Sequence, residues 1–177
     1  QRYEIGAISS LRYDGDVYAE SRAPDLERID ALIRDGHYEA AEQAAREALS
    51  GLEAAGQDQT RDAASYADRL VEALWQGGKG TRTEALSRAK LAVEIKEQLF
   101  GPDDVETARS RERLGRVLTS TLAFAEAQQL LEQSLGVLES SLGGANADVA
   151  NALESIGRVF VAQSQFDSAR QRFEQAL

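Results

Sequence analysis

A side chain that could move protons near neutral pH occurs once in this chain, as His37. It stands in Gly36-His37-Tyr38, with no nucleophile or acid spaced to work beside it, and reads as an exposed turn residue. The absence of cysteine excludes disulfides, zinc thiolate sites and a thiol nucleophile. The carboxylates Glu94 and Glu97, and Glu126 and Glu132, have no histidine or aspartate cluster around them, so they read as solvated helix faces and not as a metal site. Gly77-Gly78-Lys79-Gly80-Thr81 has the residue types of a phosphate loop. It lacks the first glycine at the needed spacing and follows a helical pattern where a strand is required, so it reads as a turn. No catalytic residue, cofactor or metal is expected, and the chain is not expected to be an enzyme. What remains is arginine. Of 20 basic residues only Lys79, Lys90 and Lys96 are lysines, and guanidinium groups can grip carboxylates through two parallel hydrogen bonds.

The elements that carry these arginines repeat. Ala108, Leu114, Gly115, Val117 and Leu118 stand 42 residues before Ala150, Ile156, Gly157, Val159 and Phe160. The register runs on through Phe124 and Phe166, Ala127 and Ala169, Leu131 and Phe173, and Leu135 and Leu177. A fixed period of this size is the mark of a solenoid, in which each unit covers the apolar face of its neighbour. From Asp25, a plausible N-cap, Leu26, Ile29, Leu32 and Ile33 recur at helical spacing until Gly36. Further helices are predicted over 38–55, 60–76, 82–100, 105–121, 124–142 and from 147 onward, with Gly-rich breaks between them. The link Gly77-Gly78-Lys79-Gly80 carries two extra residues, because Ala41 and Ala85 stand 44 apart where Ala85 and Ala127 stand 42 apart. The reading is an N-terminal extension over 1–24 followed by four helix pairs, 25–56, 60–100, 104–142 and 147–177, the last cut short. Within the extension, Tyr3-Glu4-Ile5 and Val17-Tyr18 flank the turn signal Asp14-Gly15, as in a short hairpin or an extended arm.

Composition sets the remaining bounds. At 42% hydrophobic and 28% charged residues the chain can fold, and two prolines leave long helices unbroken. A net charge of −10 argues against a nucleic-acid partner, which needs a basic surface. No apolar run reaches the ~18–20 residues of a membrane span and no signal peptide is visible, so no membrane partner and a cytoplasmic location are expected. Acidity with scarce lysine fits either a high-salt habitat or a GC-rich genome. A start without methionine and an end inside a repeat fit a piece of a longer protein. The exposed end predicts either end-to-end pairing of two copies or fraying, to shield Phe166, Phe173 and Leu177.

The repeats resemble the tetratricopeptide repeat. Its small residue in the first helix corresponds to Gly115 and Gly157. Its small–large–small run in the second helix corresponds to Ala127-Leu131-Ser134 and Ala169-Phe173-Ala176, with all-alanine versions at Ala41-Ala45-Ala48 and Ala85-Ala89-Ala92. Two helices approach closely only where side chains are small, and the larger residue is expected to plug the gap to the next repeat. The 42-residue period and the linker Leu99-Phe100-Gly101-Pro102-Asp103-Asp104 are similar to the kinesin light chain variety. The chain departs from that variety in carrying Ile29 and Val71 at the glycine position. Asp104-Val105 and Asn146-Ala147 stand where a histidine-proline is usual, and Glu112-Arg113 and Glu154-Ser155 where asparagines are usual.

The resemblance implies an all-α, right-handed solenoid of antiparallel helix pairs and a protein-interaction scaffold. It would hold a peptide or partner protein in the concave groove lined by the first helices. On those helices Arg69, Arg109, Arg113, Arg116, Asn151 and Arg158 are expected to turn into the groove. Trp75 is either core or a groove anchor. Such arginines would favour a partner with acidic groups, unless they pair with Asp68, Glu72, Glu112 and Glu154 on the same surface. The alternative reading is a regulatory or sensor domain of a larger enzyme, such as a bacterial kinase, caspase-like protease or NTPase.

Overall fold

The computed structural model describes residues 26–177, so Asp25 and the expected hairpin or arm over 1–24 lie outside the described residues. The described chain is a run of helices: α1 (26–34), α2 (Tyr38–Ala54), α3 (Arg61–Gln76), α4 (Thr83–Phe100), α5 (Val105–Ser120), α6 (Phe124–Leu142), α7 (Ala147–Ala162) and α8 (Phe166–Gln175). No strand occurs among the described residues. The predicted ends hold to within one residue through the start of α7, because local chemistry sets them. Thr60, Asp104 and Asn146 each accept a hydrogen bond from a backbone N–H of the first turn that follows, which supplies an acceptor to a donor the helix cannot satisfy. Gly101 and Gly143 end α4 and α6 with φ of +89° and +80°, a conformation open to glycine at little cost.

From α3 onward each helix packs on the one before it, and α5 also touches both α3 and α7. The backbones of the second helices α2, α4, α6 and α8 stay apart from one another, and α2 and α4 meet through side chains, where Arg46 donates to Glu84 at 2.8 Å and Arg88 to Glu53 at 2.7 Å. The first helices therefore stand side by side along the inner wall, and the second helices fan out behind them. One continuous core runs between the layers, from Ile29 through Leu70, Leu74, Leu118, Leu131 and Leu138 to Ile156.

The close approach within a pair has a specific seat. A Cβ added at Gly115 would lie 2.5 Å from Leu131 Cγ, and one added at Gly157 would lie 2.5 Å from Phe173 Cε1. The large residue of the second helix thus fills the space over the glycine of its own pair, and the expectation that it plugs the gap to the next repeat is corrected. In the first two pairs the volumes are exchanged. Ile29 and Val71 occupy the glycine register, and Ala45 and Ala89 occupy the register of Leu131, all four buried. The same helix separation is kept by moving the bulk from one helix to the other.

Candidate partner-binding site

The inner faces of α3, α5 and α7 enclose a cavity of about 380 Å³. Helical spacing puts Glu72, Trp75 and Gln76 of α3, Arg109, Glu112, Arg113 and Arg116 of α5, and Asp148, Asn151, Glu154, Ser155 and Arg158 of α7 around it, with Leu138 of α6 reaching the floor from behind. Six of the residues expected in the groove, Trp75, Arg109, Arg113, Arg116, Asn151 and Arg158, meet here. Arg69 does not. It donates from Nε and Nη2 to Asp30 of α1, both at 3.0 Å, and ties the first pair to the second.

Trp75 is half-buried at one wall, and the long turn after α3 explains its setting. A Cβ added at Gly80 would lie 2.9 Å from Trp75 Cδ1, so only glycine lets the turn close against the indole edge. The Lys79 ammonium of that turn is bound to the buried Glu42 carboxylate at 2.7 Å, which accounts for the lysine in the glycine run. The open side of the indole carries two guanidinium groups, Arg116 at 4.4 Å and Arg158 at 5.7 Å from the ring centroid.

The arginines differ in how firmly they are held. Arg116 donates to both oxygens of Glu72, and its Nε lies 3.1 Å from Glu112 Oε1 without donating a hydrogen bond to it. Arg109 donates from Nε and Nη2 to Asp148 at 2.9 and 2.7 Å, and also binds Glu106. Arg113 is looser. It stands 3.6 Å from Glu72 and 3.8 Å from Asp68, and its buried Nε has no hydrogen-bond partner. Among the described residues the half-exposed Arg158 has one ion-pair partner, Glu154 one turn earlier on its own helix, an arrangement worth about a few tenths of a kcal/mol. Among the described residues the exposed Asn151 amide has no hydrogen-bond partner. The pairing of groove arginines with Glu72, Glu112, Asp68 and Glu154 is thus real, and it leaves Arg113, Arg158 and Asn151 as the groups most available to a ligand.

The carboxylates respond to this wiring. Burial pushes the Glu72 carboxyl up, but Arg116 and then Arg113 outweigh it and hold it down at about 2. Burial also opposes ionisation of Glu106, and Lys96 and Arg109 overcome it. At Glu112 burial wins over Arg116, Ser155 and Arg113, so its carboxyl is raised above the usual range.

One buried feature went unread in the sequence. Lys96 of α4 and Asp68 of α3 are each 2% exposed and joined at 2.7 Å. Ser110 of α5 donates to the same carboxylate at 2.9 and 3.0 Å, and Lys96 reaches Glu106 Oε2 at 3.2 Å. The signal was present: Lys96 continues the buried stripe Ala85, Ala89, Ala92 at helical spacing.

A model of the tetratricopeptide repeat matches residues 62–140 and 122–177. The chain belongs to the tetratricopeptide-repeat family. Its fold is similar to the crystal structure of BtubC (BKLC) from P. vanneervenii, with a TM-score of 0.73 and 20% identity over 95% of this chain. The chain spans 65% of the length of BtubC. A Podosopora anserina protein described as a kinesin light chain with nearly identical TPR-like repeats gives a TM-score of 0.72 at 17% identity, over 87% of this chain and 72% of that one. A substituted form of the same Podosopora anserina protein matches equally well, with the same TM-score of 0.72. No curated protein matches the sequence. The repeats therefore form an α-solenoid of the interaction-scaffold kind, a fold that is typically non-catalytic. Among the described residues no helix is long and apolar enough to cross a membrane.

Proposed function

We propose that this solenoid holds a peptide segment of a partner protein across α3, α5 and α7, and that the segment carries an acidic group. The observation that supports the reading is the cavity wall itself: an indole faced by two guanidiniums, next to an amide with no partner and an arginine held only by a one-turn pair. An acidic side chain or chain end fits between Arg158, Asn151 and Arg113, and an apolar or aromatic neighbour fits against Trp75. Arg109 and Arg116 hold the walls in place, because each donates two hydrogen bonds to a carboxylate of a neighbouring helix. This reading departs from a simple basic groove, in which all the arginines would serve the ligand equally.

The test is a screen of acidic peptides against the protein, read by the fluorescence of Trp75, the only tryptophan. Arg158→Glu and Asn151→Ala are expected to weaken binding about tenfold or more while leaving the melting temperature unchanged. Arg170→Glu serves as the control, since Arg170 lies on α8 with its side chain 72% exposed and away from the cavity. Equal effects of Arg158→Glu and Arg170→Glu would remove Arg158 from the site.

A further inference from the structure

The two junctions on either side of α5 share a buried carboxylate that accepts from a serine of the next first helix, and they differ in what stands behind it. At the first, Asp68 of α3 is buried, accepts from Ser110 of α5, and is neutralised from behind by Lys96 of α4. At the second, Glu112 of α5 occupies the register of Asp68, 44 residues on, which is also the spacing between the starts of α3 and α5. Glu112 is 8% exposed and accepts from Ser155 of α7 at 2.6 Å. The register of Lys96, 42 residues on, holds Leu138, which is 1% exposed. The buried lysine that neutralises the first carboxylate is thus replaced by a hydrocarbon behind the second.

Among the described residues, the charged groups around Glu112 come from α5 itself and from the helices packed on it. From its own helix come Arg116, Arg113 and, around the same cavity, Arg109, and from α3 comes Glu72, a like charge. From α7 come Asp148, Glu154 and Arg158 around the same cavity, with Ser155 as the direct donor. From α6 comes only Leu138, and the one buried cation of α4, Lys96, is spent on Asp68 and Glu106. The cavity lining contains four guanidiniums, Arg109, Arg113, Arg116 and Arg158, and four carboxylates, Glu72, Glu112, Asp148 and Glu154. With all of them ionised the lining is neutral. It becomes positive when a single carboxylate takes up a proton.

We propose that Glu112 is that carboxylate: a proton-operated determinant of the groove, which turns a neutral cavity into one with a net positive charge and so strengthens the binding of an anionic partner segment as pH falls. The inference rests on the reading of the groove as a site for an acidic peptide. Burial pushes the Glu112 carboxyl up, whereas Glu72 in the same lining is held at about 2. As a solution is acidified from neutrality, Glu112 takes its proton first and Glu72 keeps its charge. Protonation also leaves Glu112 able to donate a hydrogen bond and removes the second carboxylate from Arg116, whose Nε it does not hydrogen-bond in any case.

The experiment follows two signals across a pH series on the whole chain. One is the side-chain carboxyl resonance of Glu112 with the Trp75 indole resonance, in free protein. The other is the affinity of a short peptide of cysteic acid, whose sulfonates keep their charge throughout. Expected results are a Glu112 midpoint above the usual carboxylate range, sensed by Trp75, and about a tenfold rise in affinity as pH falls through it. Glu112→Gln is expected to bind tightly at every pH. Leu138→Lys, which rebuilds the Lys96 arrangement, is expected to lower the midpoint and bind weakly at every pH. Should Leu138→Lys fail to fold, Glu112→Gln alone decides, since a pH dependence that survives in it overturns the proposal. A Glu112 midpoint in or below the ordinary range overturns it too, as does peptide binding that is flat with pH in the wild type. An absence of peptide binding at any pH, in both proteins, overturns the acidic-peptide reading of the groove itself.

Discussion

The second and third helix pairs, α3/α4 and α5/α6, reach the same geometry with exchanged parts. The second seats its helices with Val71 on the first helix and Ala89 on the second, and the third with Gly115 and Leu131. The second puts a lysine in its buried stripe, and the third a leucine at the same register. The second turns through Gly77-Gly78-Lys79-Gly80, and the third through a shorter turn that holds Leu122 at a φ of +63°. The difference teaches that the period keeps total volume across a contact, not the residue at a position, whereas the buried charge behind the carboxylate differs between the two pairs.

The largest break in the comparison comes from removing the buried lysine alone. Lys96→Leu copies the third pair into the second but leaves Asp68 buried with Ser110 as its direct donor. Removing one partner of a buried ion pair costs about 3–5 kcal/mol. Urea unfolding of Lys96→Leu should show that loss. Lys96→Leu with Asp68→Leu should recover most of it, because a hydrocarbon pair of similar size carries no unpaired charge. A double variant as unstable as the single would mean that Asp68 matters for reasons other than its charge.

A second test uses acid on the bond between the two pairs. Glu72 of α3 is held by Arg116 and Arg113 of α5 with its carboxyl at about 2 against an ordinary 4.5. A depressed folded value means stability that is present above the unfolded value and lost as pH falls through the folded one. The shift corresponds to about 3 kcal/mol, released between pH 4.5 and about 2. Glu112 acts in the opposite sense, since a raised folded value means that stability rises on first acidification. Wild-type stability should therefore pass through a maximum at mildly acidic pH and then fall. Glu72→Gln should remove the steep acid limb. An unchanged limb in that variant would place the acid-labile bond elsewhere.

These tests also separate what the sequence displays from what it conceals. The helices, their ends and the groove side of α5 and α7 follow from a period, from glycines at turns and from which face packs, all of which are local. The places of Arg113, Asn151 and Arg158 around the cavity follow from that, whereas Trp75 stays open between core and groove in the sequence. The partners of those arginines do not follow, because a charge on a helix can turn to either neighbour, and only the distance to the adjacent first helix decides. Arg69 shows this: it has the register of a groove residue, but Asp30 is close enough to bind it. Lys96 was missed because a lysine breaks the apolar pattern used to trace the buried stripe, although its position completes that stripe.

The seat within a pair gives a smaller effect. Gly115→Ala improves helix propensity by about 1 kcal/mol. It also drives a methyl to 2.5 Å from Leu131 Cγ, a branch point that cannot swing away like a chain end. Overpacking of this kind costs about 1–3 kcal/mol, so a net loss of melting temperature is expected. Gly115→Val with Leu131→Ala rebuilds the Val71/Ala89 seat inside the third pair and should be more stable than Gly115→Val alone. If the two are equal, Gly115 and Leu131 are not two halves of one seat.

The smallest effect is a gain, at the turn. Leu122 is 72% exposed and sits in the left-handed region, where a Cβ clashes with the backbone, at the place where the first pair has Gly36 with a φ of +79°. The left-handed conformation costs an ordinary residue about 1–2 kcal/mol, and glycine gives back part of that through its greater freedom when unfolded. With so little of the Leu122 side chain buried, Leu122→Gly should raise stability by about 0.5–1 kcal/mol. The reciprocal change, Gly36→Leu, should lower it by a similar amount, since nothing lies within 4 Å of a Cβ added there and backbone strain is then the whole effect. The pair of measurements has an internal check. Strain alone predicts opposite signs at the two turns. A loss of stability in both variants would mean that the exposed Leu122 side chain, and not its backbone, is what the third turn needs.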